Sequence, residues 1–352
     1  MGIPGKKLKE AARAFLVLLA VFLLLSLLVK GLNYLVVDDA DSYTRLAMHE
    51  LYTQEEPVET LFLGSSHCFR AYDPALYQEL TGESAFNLGS SSQNYDTSYH
   101  LLKEAIACHP VKKVYLDMYY AFLFIGQQDR DLVQANIISD YMRPSVNKLD
   151  FVLHMSGSEH YTNTLLPFRR NWRLLGDWKY LEENLARKRQ VAYVNYEPVV
   201  HEEERYVGRG FVSSSQVLKP EEITWWEKFS EIDLTGDDSF ARSYVERIVR
   251  LCQEENIQLI FVTAPSYEEY LKVVGPYDPA HAYIEELAEK YGVPYLDFNL
   301  CQQEYLDLMA GDYMDVDHLN GQGAGKVTET LAKLANEPSL IDEYFVSCYD
   351  VR

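Results

Sequence analysis

LFLGSSHCFRAYDP, residues 61–74, carries a short apolar run into Gly64, two serines and then an Asp-Pro pair. The run TLFL at 60–63 has no polar residue after its first, which fits a strand buried on both faces. Asp73-Pro74 is a helix start: the carboxylate can accept from the first free amides, and proline fits the first helical position, where no amide bond is needed. The stretch therefore predicts a strand, a small-residue turn and a helix over 73–80.

The same unit recurs on both sides. AFNL at 85–88 is a second strand ending at Gly89, a helix is expected over 95–108, and KVYLDMY at 113–119 is a third strand. Further on come a helix over 240–256, a strand at 258–264 (QLIFVTA), a helix over 279–291, a strand at 294–298 (PYLDF) and a last helix over 321–335. Doubly buried strands alternating with helices predict an α/β fold: a parallel sheet in a three-layer α/β/α domain. Residues 121–235 break the rhythm and hold all four tryptophans, with basic stretches at Arg169-Arg170 and 187–189. They are expected as a long insertion over the carboxyl edge of the sheet, where open α/β sheets bind ligands.

Ahead of the domain, AFLVLLAVFLLLSLLV at 14–29 is a 16-residue run without a charge. A helix over 11–37 would cross a hydrocarbon layer of ~30 Å, with Lys30 snorkelling and Tyr34 at the interface. Lys6, Lys7, Lys9 and Arg13 precede the run, so the positive-inside rule puts the N-terminus in the cytoplasm. No small-x-small cleavage site follows, which favours an anchor over a removed signal peptide. The expected order is a basic cytoplasmic segment 1–12, a transmembrane anchor 13–37, a polar helical stalk 38–57 and a domain 58–352 with its insertion at 121–235. That is a single-pass protein of the cell membrane with its domain outside.

The charge agrees. The 352 residues carry a formal −21, from 32 Lys and Arg against 53 Asp and Glu, although the first 30 residues are net positive. An exterior so acidic excludes nucleic acid as a partner, because phosphate contacts need a surplus of basic residues. The five cysteines are widely spaced with no CxxC, which excludes a zinc ribbon or thioredoxin motif, and they read as plain buried or half-buried thiols. GQGAGKVT at 321–328 departs from a phosphate loop at Asn320 and Val327. An EF-hand read from Asp315 fails at Leu319 and Asn320.

Three segments could carry chemistry. A serine in the Gly-Ser-Ser turn after the first strand would expose its hydroxyl beside amide N–H groups able to steady an oxyanion; the plain alternative is a helix cap. DYMDVDHLN at 312–320 contains Asp315 and His318 in D-x-x-H spacing. A histidine that takes a proton on one ring nitrogen needs a carboxylate on the other. Asp317 is a second carboxylate within reach, and an acidic loop capping the last helix is the plain reading. In FNLGSSSQNYD, 86–96, the Gly89 N–H and the Asn94 amide are candidate oxyanion donors. A G-x-S-x-G elbow is excluded, because Cys68 occupies its last position.

Taken together, GSSH at 64–67, NLGSSSQN at 87–94 and DVDH at 315–318 resemble blocks I, II and V of the SGNH (GDSL-type) hydrolases. The form is that of the membrane-anchored lipoteichoic-acid D-alanylation and alginate-type O-acetylation proteins. The resemblance covers 58–120 and 236–335. It implies a flavodoxin-like sheet with Ser66 as nucleophile, His318 as general base and Asp315 as its orienter. The Ser66 and Gly89 N–H groups would form the oxyanion hole, and neither metal nor cofactor is expected. The block III asparagine has no match in KVYLDMYY, where Asp117, Tyr119 and Tyr120 stand, and Asn94 is the substitute. His67, beside the nucleophile, is expected in a structural or substrate-contact role. The implied activity is extracytoplasmic O-acyl transfer or ester hydrolysis on envelope or secreted glycans through an acyl-serine. Its partners would be an acylated donor, a glycan acceptor, the membrane through the N-terminal helix, and a multi-span membrane O-acyltransferase. The rival expectations are a non-catalytic scaffold or glycan-binding accessory of such an enzyme, and a metal site built from Asp312, Asp315, Asp317 and His318.

Overall fold

The computed structural model describes residues 5–127, 132–155, 157–198, 200–219, 221, 234–274 and 276–349. The chain forms two compact units, one of Met1–Ala40 with Ser158–Asn195 and one of Asp41–Gly157 with Tyr196–Arg352.

The larger unit is built on a five-stranded sheet. Its strands are β1 (Thr60–Leu63), β2 (Ala85–Asn87), β3 (Lys113–Asp117), and, after a small antiparallel sheet of β4 (Val200–His201), β5 (Glu204–Gly208) and β6 (Phe211–Ser214), β7 (Gln258–Thr263) and β8 (Tyr295–Asp297). The order is β2-β1-β3-β7-β8 and every pairing is parallel. The chain crosses from β1 to β2 in one direction and from β2 onward in the other. Crossovers in parallel sheets are right-handed, so the reversal puts helices on both faces and opens a crevice between the carboxyl ends of β1 and β3. On one face the helices Tyr95–Cys108 and Ser239–Glu254 pack together, and on the other Pro74–Thr81 packs against Gly321–Asn336. The expected three-layer α/β/α architecture is present.

The core explains why this sheet forms where it does. The β1 run has no exposed side chain, and Phe62 stacks between Tyr72 and Tyr115 with ring centroids 5.2 Å away on each side. Burying an aromatic of that size contributes on the order of 2–3 kcal/mol. Asn87, at the end of β2, is fully buried and spends its amide on the carbonyls of Cys68 and Tyr72, at 2.9 and 3.0 Å. It thereby ties the turn after β1 to β2. The β5–β6 turn extends that edge: the Asn87 N–H donates to the Arg209 carbonyl at 2.8 Å. Gly210 there has φ +81°, and a Cβ on it would overlap the Asn87 carbonyl.

The segment expected as a stalk is different. Its helix, Tyr43–Thr53, buries Leu46, Met48 and Leu51 in the larger unit instead of standing free. Met48 and Leu51 enter the main core while Leu46 and Ala47 join a second cluster with Phe69, Tyr206 and Val212, so the helix is covered on two sides, which a free-standing stalk is not.

The smaller unit contains the helix Gly5–Val36, whose Lys7–Val36 portion is long and apolar enough to cross a membrane. Short helices at Tyr161–Leu165, Pro167–Arg170, Trp178–Lys188 and Val191–Val194 complete it. The expected insertion is therefore divided. Its stretch 158–195 groups with the N-terminal helix, and the polar contacts explain why. The last carbonyls of a helix have no partner of their own. Here the Lys188 ammonium donates to the carbonyls of Tyr34 and Val37, at 3.0 and 2.6 Å. The Asn184 amide donates to the Leu35 carbonyl and the Tyr180 hydroxyl to the Val36 carbonyl.

Candidate active site

Gly64 ends β1, and only glycine fits: a Cβ would lie 2.5 Å from the Asp117 Cβ and 2.8 Å from the Cys68 Cβ. Ser65 then caps a short helix, Ser66–Ala71. Ser66 occupies its first turn, where a backbone N–H has no acceptor within the helix. From the far end of the domain, the loop before Gly321–Asn336 closes on itself through a bridge between Tyr313 and Leu319 and a bond from the Met314 N–H to the His318 carbonyl. This turn puts Asp315 and His318 at its tip.

The two segments meet. The Ser66 hydroxyl lies 2.8 Å from His318 Nε2, and His318 Nδ1 lies 3.1 and 3.0 Å from the two Asp315 oxygens. An ionised carboxylate only accepts, so His318 carries its proton on Nδ1 and leaves Nε2 as acceptor for the serine proton. Asp315 also accepts the backbone N–H groups of Asp317 and His318, each at 2.8 Å. Burial raises the Asp315 carboxyl, but the hydrogen bond and charge of His318 outweigh it and hold the group below its ordinary value.

Asp317 is not the second choice of His318 but the partner of His67. His67 Nε2 lies 2.9 Å from Asp317 Oδ2, and His67 Nδ1 lies 3.1 Å from the Ser65 hydroxyl. The hydroxyls of Tyr119 and Ser266 donate to the two Asp317 oxygens, both at 2.7 Å. Burial opposes ionisation of Asp317, and the His67 charge with these donors wins, holding it far below the usual carboxylate range. The His67 ring stacks on Tyr119 at 3.8 Å and on His318 at 4.5 Å. A Ser-His-Asp arrangement thus stands beside its near copy, Ser65-His67-Asp317, and the second props the first through ring stacking. Both aspartates in DVDH could be read from the sequence. Their division between two histidines could not, since it depends on the turn at 64–67 meeting the loop from 250 residues away.

The expected oxyanion donors are placed unevenly. The Gly89 N–H does not stand open toward Ser66; it donates to Asn87 Oδ1 at 2.9 Å. Asn94 is buried at the start of Tyr95–Cys108, its side chain does not cap that helix, and its amide reaches only the Ser92 carbonyl at 3.5 Å. Asp312, in the acidic loop, accepts from Lys326 and from the Met309 N–H. Both bonds fall on its Oδ2, whereas both oxygens of Asp315 and of Asp317 have partners. Among the described residues no group of three His, Cys, Asp or Glu is arranged to hold a metal ion.

Asp117 lies directly beneath the Gly64 turn, fully shielded. One oxygen accepts the Ala264 N–H at 3.2 Å and the other has no partner among the described residues. Burial pushes its pKa up to about 7, with the nearby charges of Asp317 and Asp297 adding to it. Beside Gly89, a cavity of about 200 Å³ is lined by Phe69, Ser90, Gln134, Ile137 and Val212. A larger one of about 550 Å³ opens at the amino ends of β1, β3 and β7, away from the serine.

No family model matches the chain, and no curated protein matches it. Among solved structures, the chain is similar to a GDSL-like lipase from Bacteroides thetaiotaomicron, at 11% identity and a TM-score of 0.36, over 86% of this chain and 100% of that one. It is similar to a protein assigned to the G-D-S-L lipolytic family from Desulfitobacterium hafniense, at 9% identity and a TM-score of 0.36, over 79% of this chain and 99% of the other. A protein named as an acylhydrolase from Bacteroides fragilis is similar at 9% identity with a TM-score of 0.33, over 83% and 94% of the two chains.

Proposed function

We propose that this chain is a serine-dependent acyl-transfer enzyme of the SGNH type, an O-acyltransferase or esterase working outside the membrane on envelope or secreted glycans. The observation that carries the reading is the unbroken relay from Asp315 through His318 to the Ser66 hydroxyl, with a Ser66–His318 separation of 2.8 Å. Ser66 Oγ attacks the carbonyl carbon of an acyl ester while its proton passes to His318 Nε2. The carbonyl electrons move onto oxygen, and that oxyanion is met by the Ser66 N–H, with Asn94 as the proposed second donor. Collapse expels the alkoxide, which takes the proton from His318, and leaves an acyl-serine. A glycan hydroxyl, or water, then attacks the acyl-serine with His318 again accepting the proton, and Ser66 is regenerated. The acidic exterior and a helix long enough to span a membrane support an anchored, outward-facing domain. A multi-span membrane O-acyltransferase is the proposed supplier of the acyl group.

A fluorophosphonate probe tests this. It is expected to label the wild-type chain at Ser66, to fail with Ser66→Ala, and to slow by about 10²–10⁴-fold with Asp315→Asn, where His318 loses its fixed tautomer. Labelling that persists in Ser66→Ala would sink the assignment. The commitment of the Gly89 N–H to Asn87 favours a second reading, a non-catalytic scaffold. Undiminished glycan acylation in cells carrying Ser66→Ala would select it.

A further inference from the structure

We infer that residues 158–195 form a collar that docks on the outer lipid–water interface, with anionic headgroups as its partner. The inference rests on the anchor reading of the N-terminal helix.

The first support is where the cover begins. Residues 7–25 of the helix are bare on all sides, whereas Ser26, Val29, Asn33 and Val36 are partly or fully covered. These four recur every three to four residues, so they lie on one face. The apolar run 14–29 is about 24 Å long at 1.5 Å per residue, close to the thickness of a hydrocarbon layer. The collar thus starts at the outer end of the run and extends through the next two turns, at headgroup depth. Its inner surface is polar and already spent on the helix end: Lys188, only 1% exposed, also pairs with Asp39 at 2.8 Å. The Phe168 N–H donates to Asn33 at 2.8 Å.

The second support is what faces outward. Trp172 is 60% and Trp178 is 80% exposed, with Leu165, Leu175, Val191 and Val194 exposed beside them. Arg169, Arg173 and Lys179 are exposed in the same stretch, and Asp177 between them is occupied in capping the helix that follows. Across 158–195 there are seven Arg and Lys against four Asp and Glu, in a chain whose net charge is −21. Tryptophans interleaved with arginines are costly in water and in hydrocarbon alike. They are at home at the interface, where the ring lies among the headgroups and the cation meets phosphate.

The test uses the full chain in lipid nanodiscs, with Trp225→Phe and Trp226→Phe so that Trp172 and Trp178 report. In discs of phosphatidylcholine and phosphatidylglycerol at 7:3, acyl-brominated lipid is expected to quench the emission by about half or more, while aqueous iodide quenches it weakly. Arg169→Gln, Arg173→Gln and Lys179→Gln together should reduce the lipid quenching to the level seen in pure phosphatidylcholine. Emission open to iodide and untouched by brominated lipid overturns the collar, and quenching indifferent to phosphatidylglycerol overturns its anionic partner. As a check free of the double variant, trypsin should cut the wild-type chain after Arg169 and Arg173 several-fold more slowly in discs than in detergent; equal rates overturn the proposal. Alkali extraction separates the two readings. A chain extracted from vesicles refutes the anchor and the collar with it, whereas an embedded chain with exposed tryptophans refutes the collar alone.

Discussion

At the residue scale, Asp117 shows how the site is built at a cost to stability. It sits under the Gly64 turn with one oxygen unpartnered, and burial pushes its pKa from an ordinary 3.8 up to about 7. The folded chain therefore holds a proton that the unfolded chain releases near pH 4. Folding takes up that proton between about pH 4 and 7, so stability from this group falls as pH rises through that window and stays at its lower level above it. Asp117→Asn has nearly the same shape and cannot ionise. Its melting temperature is expected to lose most of the decline between pH 5 and 8, and at pH 8 to exceed that of the wild type. A variant that melts with the wild-type slope would show that Asp117 is ionised and otherwise solvated. The same residue marks a limit of reading from sequence. In KVYLDMYY it stands where the resemblance implies an asparagine, and nothing in the spacing tells that its side chain turns inward beneath the serine loop.

At the element scale, the helix Gly321–Asn336 positions half of the relay, and its cap is the control point. Asn320 Oδ1 accepts from the Gln322 and Gly323 N–H groups at 3.0 and 3.2 Å, while its amide donates to the Gly311 and Gln216 carbonyls at 2.7 and 3.1 Å. The same helix is tied to the serine side through Thr328, whose hydroxyl accepts the Asp73 N–H and donates to the Ala71 carbonyl. Asn320→Ala removes the cap and all three carbonyl contacts, the third being to Tyr313 at 3.3 Å, and is expected to cost about 1–2 kcal/mol in denaturant unfolding. Fluorophosphonate labelling of Ser66 should slow in parallel, because His318 sits two residues before the cap. Unchanged labelling would mean the loop holds itself. Elements of this kind were legible: apolar runs of four to seven residues with Gly or Pro at their ends gave the sheet strands to within two residues at either end, and Asp-Pro marked the helix at 74. The small sheet β4–β6 was not, because β4 and β5 are largely exposed, β6 has only Phe211 and Val212 apolar beside two serines, and the sheet leans on Asn87 and Glu50 rather than on an apolar pattern of its own. The stalk expectation misses for a related reason: the few apolar residues at 46–51 are set among polar ones and find cover in two separate clusters, so no single apolar stripe announces their burial.

At the scale of the whole molecule, the chain divides its acidity from its apolar span, and the division runs through the insertion rather than beside it. Charge counting separates a positive leader from an acidic remainder, but it cannot tell that 158–195 returns to the leader. That return depends on helix-end carbonyls finding donors, and the donors are a lysine, an asparagine and a tyrosine in an otherwise surface-like sequence. Lys188 holds that return together. Lys188→Met keeps the stem but leaves the Tyr34 and Val37 carbonyls and Asp39 without their cation. Breaking a buried pair on one side costs about 3–5 kcal/mol. A loss of that size, confined to the smaller unit, raises the open population by about two to four orders of magnitude. Trypsin cleavage within 158–195 of the variant should accelerate accordingly, while labelling of Ser66 in the larger unit keeps its wild-type rate. Labelling lost together with protease resistance would show that the two units fold as one cooperative body, and that the collar supports the site as well as the helix end.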